Sequence, residues 1–342
     1  VDLLLDWWER PKAVRDAEGN YLVRQPSLAE WLHVDREKVR DLLERLAYEV
    51  HATQPDLLGT ADVAEGELLV GLLRLSRNPG ANPAQLVRYL SHRAGLLVGR
   101  GVGVYTFPHR TFQEYLAACH LTDFDYPERV AELARDEPNR WREVALLAGA
   151  KAARGTASAV WSLVDALCYR ELSAEGNQSV PDAWGAVLAG RTLVESADLG
   201  QVSERNQAKV NRVTAHLVRV LREGKLPAVE RAGAGDTLAH LGDPRFRPDA
   251  WYLPDEPLLG FVEIPAGPFL MGSDVGRDPD AGAGEVPQHE LILPAYWIGR
   301  YPVTAAQFRA FVDASGYAPR DPDSLRGVDN HPVVNVTWYD AL

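Results

Sequence analysis

The sequence predicts a multidomain chain in which a mainly α-helical part is followed by a smaller α+β part. Three observations predict it. Apolar residues recur at helical spacing almost continuously as far as "TLAHLGD". That periodicity is interrupted once, by two short strand-like runs around "LLVGRGVGVYTF". It stops at "GDPRFRPDAWYLPDEP", where Pro and Trp become dense, and short strands separated by turns take over. The expected boundaries are 1–125 for a helical and hairpin region and 126–245 for stacked helices. A linker at 246–260 and a final domain at 261–342, whose end the sequence does not reach, complete the division.

The first region is justified element by element. In "DREKVRDLLERLAYEVH", Val39, Leu42, Leu43, Leu46, Ala47 and Val50 form one broad apolar stripe, with Asp35 as N-cap. "GELLVGLLRLSR" is apolar nearly all round, which predicts a deeply packed helix. Asn78, Pro79, Gly80, Asn82 and Pro83 make a loop. "PAQLVRYLSHRAG" follows as a helix with Pro83 in its first turn and Gly95 at its stop. "LLVG" and "GVYTF" read as a β-hairpin, and helices followed by a hairpin are the signature of a winged helix. "RTFQEYLAACHL" closes the unit, with Phe112, Tyr115, Leu116 and Cys119 as its expected core face.

The next segments, from "ERVAELARD" to "AVERAGAGDTLAHLGD", each carry a helical apolar face and are parted by short Gly- and Pro-bearing links. The succession resembles a helical-repeat scaffold, which contributes a surface and not chemistry. After the linker, "FVEIPAGPFLMGS" and "ELILPAYWIGRYPVT" read as strands around a polar loop. "TAAQFRAFVDASG" is the one amphipathic helix there, capped by Thr304 and burying Phe308, Phe311 and Val312.

Bulk properties bound the function classes. The 342 residues carry a net charge of -12, which argues against a general polyanion binder and makes nucleic acid an unexpected partner. The two cysteines, Cys119 and Cys168, lie in apolar helical segments away from any CxxC or zinc spacing. They read as buried free thiols, suited to a cytoplasmic setting. No run approaches the ~18 apolar residues that span a bilayer, so no membrane partner is expected. "VDLLLDWW" lacks a signal peptide's basic region. A start at Val1 and an end at "VTWYDAL" suggest a segment of a longer protein.

Two stretches resemble known families. "RAGLL … YTFPHRTFQEYLAA" resembles the winged-helix end of NACHT modules, signal-transducing NTPases of the STAND class. The resemblance covers about residues 1–125. It implies that the nucleotide domain precedes Val1, as an upstream partner, and that a His at the position of His109 contacts ADP phosphate in the resting state. ADP or ATP is then a cofactor of the intact protein and not of this chain. No G-x-x-x-x-G-K-[ST] occurs anywhere in it, and the GxG of "GRGVGVY" reads as a hairpin turn.

"FVEIPAGPFLMGS … EVPQHELILPAYWIGRYPVTAAQFRAFV … HPVVNVTWYDA" is similar to the formylglycine-generating (sulfatase-modifying factor) family, which has a C-type-lectin-like fold. The resemblance implies copper chemistry on a C-terminal cysteine pair in the true enzymes. This sequence has no cysteine after Cys168, so no catalytic residue is assigned and the chain itself is not expected to be an enzyme. It also implies ligand binding in non-enzymatic members, some of them the variable targets of diversity-generating retroelements. Together the two resemblances imply a bacterial signalling protein whose lectin-like domain binds a protein or small molecule. A helical arm would couple that domain to the nucleotide switch.

Individual residues keep more than one reading. His109 is a helix cap, a core-edge residue or a nucleotide sensor. Arg110 faces phosphate or forms an exposed salt bridge. Glu114, beside Gln113, is expected to be a structural hydrogen-bond partner, since no second carboxylate converges on it. Cys119 and His120 point about 100° apart on their helix and make a poor shared metal site. Asp274, Asp278, Asp280 and Glu285 lack calcium-loop spacing and read as a solvated loop. His289 reads as the opening of a strand, and His331, Pro332 and Trp338 as groups that fix the fold around "HPVVNVTW". Trp7, Trp8, Trp31 and Trp141 read as core or interface anchors.

Overall fold

The computed structural model describes residues 12–15, 18–92, 97–172 and 178–342. The chain forms two compact units, Val1–Thr237 and Leu238–Leu342.

Where the sequence of residues 1–55 reads as helices, the first unit instead opens with an antiparallel pair, β1 (Lys12–Arg15) and β2 (Tyr21–Gln25). Two helices follow, α1 (Leu28–Leu32) and α2 (Arg36–Thr53). Ser27 starts α1 with a capping box, its hydroxyl accepting from Glu30 N while the Glu30 carboxylate accepts from Ser27 N. All six stripe residues predicted for α2 are buried. Asp35 occupies the N-cap position, but its carboxylate caps no amide and pairs with Lys38 at 3.3 Å instead.

Strand β3 (Asp62–Ala64) leads into α3 (Glu65–Leu75) and α4 (Pro83–His92). The wing is β4 (Val98–Gly99) paired with β5 (Val104–Thr106), as the two apolar runs predict. Its third strand, β3, pairs with β5 and lies too far back in sequence for a hairpin signal to show it. Helix α3 differs from expectation. Only Leu68 and Leu72 are buried and Val70 is 48% exposed, because only one side of the helix meets the core. Trp31 stacks on Tyr89 at 5.6 Å, and the Tyr89 hydroxyl donates to Pro26 O. The readings for Trp7, Trp8 and Gly95 lie outside the described residues.

Helix α5 (Arg110–Phe124) closes the winged unit and packs on both α2 and α7 (Pro138–Gly155). Its buried face is not the predicted one. Leu116 and Cys119 are buried, but Phe112 and Tyr115 are only half-buried, while Gln113 and Glu114 are buried in their place. Helices α6 (Glu128–Asp136), α8 (Ala157–Leu167), α9 (Val180–Ser196), α10 (Glu204–Glu223) and α11 (Ala228–Leu241) complete the array. Helix α9 packs on α7, α8 and α10. The approach of α9 to the end of α8 explains Gly185. A Cβ there would lie 2.2 Å from Leu167 O, well inside contact distance. Both cysteine thiols are buried and unpaired, and burial pushes Cys119 up to about 11 and Cys168 up to about 12. They are inert thiols at neutral pH.

The second unit is built from three two-stranded antiparallel pairs and one helix. The pairs are β6 (Phe246–Arg247) with β7 (Leu253–Pro254), β8 (Phe261–Ile264) with β11 (Tyr296–Gly299), and β9 (Gly267–Met271) with β10 (His289–Leu293). His289 opens β10, as its position suggests. Gly272 ends β9 at φ +85°, where a Cβ would meet Glu285 O at 2.6 Å, so the "MGS" glycine lets the returning loop cross closely. Helix α12 (Ala305–Ser315) has the predicted Thr304 capping box, completed by Gln307. It buries Ala305, Ala306 and Phe308, whereas Phe311 is 43% exposed. Trp338 does not anchor the last segment, being 68% exposed. The anchors there are the Thr304–Pro332 bridge and Asp340, whose carboxylate accepts from Thr337 and Tyr317.

Candidate functional site

The N-terminus of α5 carries the residues singled out in the sequence. His109 is its N-cap by backbone, with φ -141° and ψ 146°, and its carbonyl accepts from Phe112 N at 3.0 Å. The imidazole caps nothing. It is exposed and leans on the Phe112 ring, centroids 5.8 Å apart. Phe112 is itself packed against the core, so the imidazole lies on the outer side of a core-edge ring. No acidic residue occupies the first turn, so the positive end of a 15-residue helix is presented together with an exposed imidazole. That combination favours an anion.

Arg110 points elsewhere. Its Nε donates to Glu114 Oε1 at 2.7 Å and its Nη1 to the Leu57 carbonyl. Glu114 is thus the structural partner expected, and the Arg110 guanidinium is held within the fold. Of the two sensor candidates, His109 is exposed, whereas the Arg110 side chain is 23% exposed and engaged with Glu114 and Leu57 O.

One turn further along α5, Gln113 is fully buried and sits at the centre of a polar cluster that the sequence reading missed. Its Oε1 accepts from Ala61 N at 2.8 Å. Its Nε2 lies 3.0 Å from His51 Nδ1 and 3.2 Å from Gln54 Oε1. His51 Nε2 lies 3.0 Å from the Arg140 carbonyl. A carbonyl only accepts, so Nε2 carries the proton and Nδ1 accepts from Gln113. Burial, reinforced by the charges of Arg110 and Arg140, lowers the His51 pKa to about 4, against the pull of that carbonyl. Arg140 Nη1 closes the cluster by donating to His51 O at 2.7 Å and Gln54 O at 2.9 Å. A signal did exist in the sequence: His51 continues the α2 stripe four residues after Ala47.

In the second unit a cavity of about 300 Å³ is lined by Asp243, Pro244, Phe246, Tyr252, Thr304 and Asn330 among others. Burial tends to raise the Asp243 pKa, but hydrogen bonds from Arg245 and Asn330 outweigh it and hold the carboxyl below its usual range. That charge is answered inside the fold. Asp274, Asp278, Asp280 and Glu285 lie in an exposed loop, where Asp274 Oδ1 accepts from Gly276 N. His120 packs its ring between Tyr48 and Phe124 and shares no metal geometry with Cys119. Among the described residues no group of three His, Cys, Asp or Glu side chains is placed to hold a metal ion. No helix of the described residues is long and apolar enough to cross a membrane.

Comparison with known proteins divides the chain in the same sense. Residues 1–121 match the winged helix-turn-helix domain C-terminal to NACHT, and residues 252–342 match the sulfatase-modifying factor enzyme 1-like domain. Both resemblances read from the motifs are shown, and so is their union in one chain. Among similar proteins are the hercynine oxygenases of Mycolicibacterium smegmatis and Mycolicibacterium thermoresistibile. The first is 43% identical over 110 residues, 23% of this chain and 26% of that protein. The second is 48% identical over 131 residues, 25% of this chain and 29% of that protein. A formylglycine-generating enzyme of Thermomonospora curvata is 33% identical over 135 residues, 26% of this chain and 44% of that protein. The chain spans less than half the length of each of these relatives.

Proposed function

We propose that this chain is the sensing and coupling segment of a STAND-class NACHT signalling NTPase. In this reading the lectin-like unit binds a ligand, protein or small molecule. The helical array carries the binding event to the winged helix, and the winged helix reports on ADP or ATP held by an upstream nucleotide domain. The observation that carries the reading is the joining of a NACHT-associated winged helix to a sulfatase-modifying-factor-like domain, with His109 exposed at the end of α5. A switch requires a group that binds its two states differently. An imidazole beside a helix N-terminus meets a diphosphate and a triphosphate with different numbers of charges, and so provides one. Arg110, held by Glu114 and Leu57 O, sets the position of that terminus and does not reach for phosphate itself.

The ligand-binding unit is read as part of a C-type-lectin-like domain. None of β8 to β11 buries a side chain, and Phe269, Leu270, Ile292, Trp297 and Ile298 are each about half exposed or more. These faces are the surface that further structure of the domain would cover. That agrees with relatives in which more than half the length lies outside the shared span.

The test is His109→Leu in the intact protein. Basal signalling should shift and retained ADP should fall by about tenfold, the loss of one charge-assisted contact. Wild-type ADP retention and signalling would leave His109 as a backbone cap only. A second reading, a formylglycine-generating-type oxidase whose catalytic half lies outside this span, is favoured by the names of the relatives. Oxygen-dependent oxidation of a cysteine-containing peptide by the full-length gene product, abolished by removal of a cysteine pair encoded outside this span, would decide for it.

A further inference from the structure

The cluster around Gln113 joins elements that are far apart in sequence. His51 and Gln54 end α2, Ala61 leads into β3, Gln113 belongs to α5, and Arg140 belongs to the first turn of α7. The first three elements form the winged unit and the fourth belongs to the helical array. His51 and Gln113 are 0% exposed and Gln54 is 6% exposed. Every polar atom on the path has a directional partner. Arg140 grips the carbonyls of His51 and Gln54 with one nitrogen and accepts from the His51 ring with its own carbonyl, so it holds α2 by backbone and side chain together. The ring positions the Gln113 amide, and the same amide holds Ala61 N. The neighbouring Trp141 closes the ring from its edge, with centroids 4.9 Å apart. A buried network satisfied at every member resists partial rearrangement, because moving one group orphans the next.

We propose that this Arg140–His51–Gln113 relay is the joint that couples the helical array to the wing. A tilt of the first turn of α7 pulls the end of α2 through Arg140. It then turns the His51 ring, and through Gln113 displaces β3 and the first turns of α5, where His109 stands. The joint is a property of the geometry; its role in signalling rests on the reading given under Proposed function. A direct polar contact between α5 and α7 is different in kind. Lys151 Nζ donates to Cys119 O and Asp123 at the far end of both helices and touches no member of the relay.

Amide hydrogen exchange on the whole chain tests the joint, read at Ala61 N, which Arg140 does not touch. Arg140→Ala should accelerate exchange at Ala61 by about tenfold, while Lys151→Met leaves it at the wild-type rate. Reciprocity requires the converse: Gln113→Leu should accelerate exchange in the first turn of α7 by a similar factor. Unchanged exchange at Ala61 in Arg140→Ala would overturn the proposal. Equal acceleration by Lys151→Met would overturn it too, because the effect would then be general loosening. Should Arg140→Ala fail to fold, Arg140→Lys, which keeps the charge and one donor, carries the same comparison with a smaller acceleration. A wild-type rate there, with Gln113→Leu also silent at α7, would sink the joint. A joint that passes while signalling stays indifferent to Arg140→Lys would separate the mechanical proposal from the functional one.

Discussion

Trp141 and Trp297 meet opposite surroundings. Trp141, in the helical unit, is 2% exposed and packs between Tyr48 and His51. Trp297, in β11 of the strand unit, is 51% exposed, and its neighbours Tyr296 and Ile298 are similarly open. The helical unit buries even its polar groups, since His51, Gln113, Gln178 and His216 all lie within it with partners. The strand unit leaves most of the apolar residues of its strands exposed and buries few large ones, Phe308 among them. The difference teaches where each unit gets its stability. The array is closed by its own contacts, and the strand pairs present faces that call for a covering layer.

The sharpest way to break this comparison is to truncate both tryptophans. Trp141→Ala should cost about 3–5 kcal/mol, the usual penalty for emptying an aromatic site in a core. Trp297→Ala should cost under about 1 kcal/mol, because little contact is lost. Urea unfolding followed by circular dichroism measures both. A large loss from Trp297→Ala would show that its face is already covered and that the contrast is wrong.

Next in size is a pH effect confined to the helical unit. His51 is neutral in the fold, with its pKa lowered from 6.5 to about 4 by burial. The unfolded chain therefore binds more protons between those values. Stability is complete above pH 6.5, falls as the pH drops towards 4 and is level below it, a loss of roughly 3 kcal/mol from this residue. His216 and His120, lowered by the same cause, act in the same direction. His51→Gln should flatten the slope of urea midpoints between pH 6.5 and 4.5. An unchanged slope would mean that His51 is hydrated or already charged.

How much of this was legible depends on how local each feature is. The α2 stripe, the wing hairpin and the Thr304 cap are written within a few residues, and each was readable. The buried face of α5 was not. Gln113 looks like a surface residue until its partners are known, and they lie 52 to 62 positions away. The contact between His51 and Arg140 spans 89 positions. The apolar surround of Val70 misled for the reverse reason, since composition cannot say which side of a helix finds a neighbour. At the candidate site, the importance of His109 came from a family resemblance, whereas its exposure came only from the fold. Arg110 reads in sequence as an exposed salt bridge without a named partner; the fold gives it Glu114, four residues on, in a mostly buried pair.

The smallest effect compares two helix caps, one from each unit. Thr304 caps α12 with its side chain, accepting from Gln307 N, while the Gln307 side chain accepts from Thr304 N and donates to Tyr252 O. Asp35 holds the same position on α2 but caps no amide and forms only an exposed pair with Lys38. Thr304→Ala should cost about 1 kcal/mol, since it orphans a buried donor. Asp35→Ala should stay within about 0.5 kcal/mol, the range of exposed ion pairs. Equal losses in the two variants would mean that Asp35 caps α2 in solution as Thr304 caps α12.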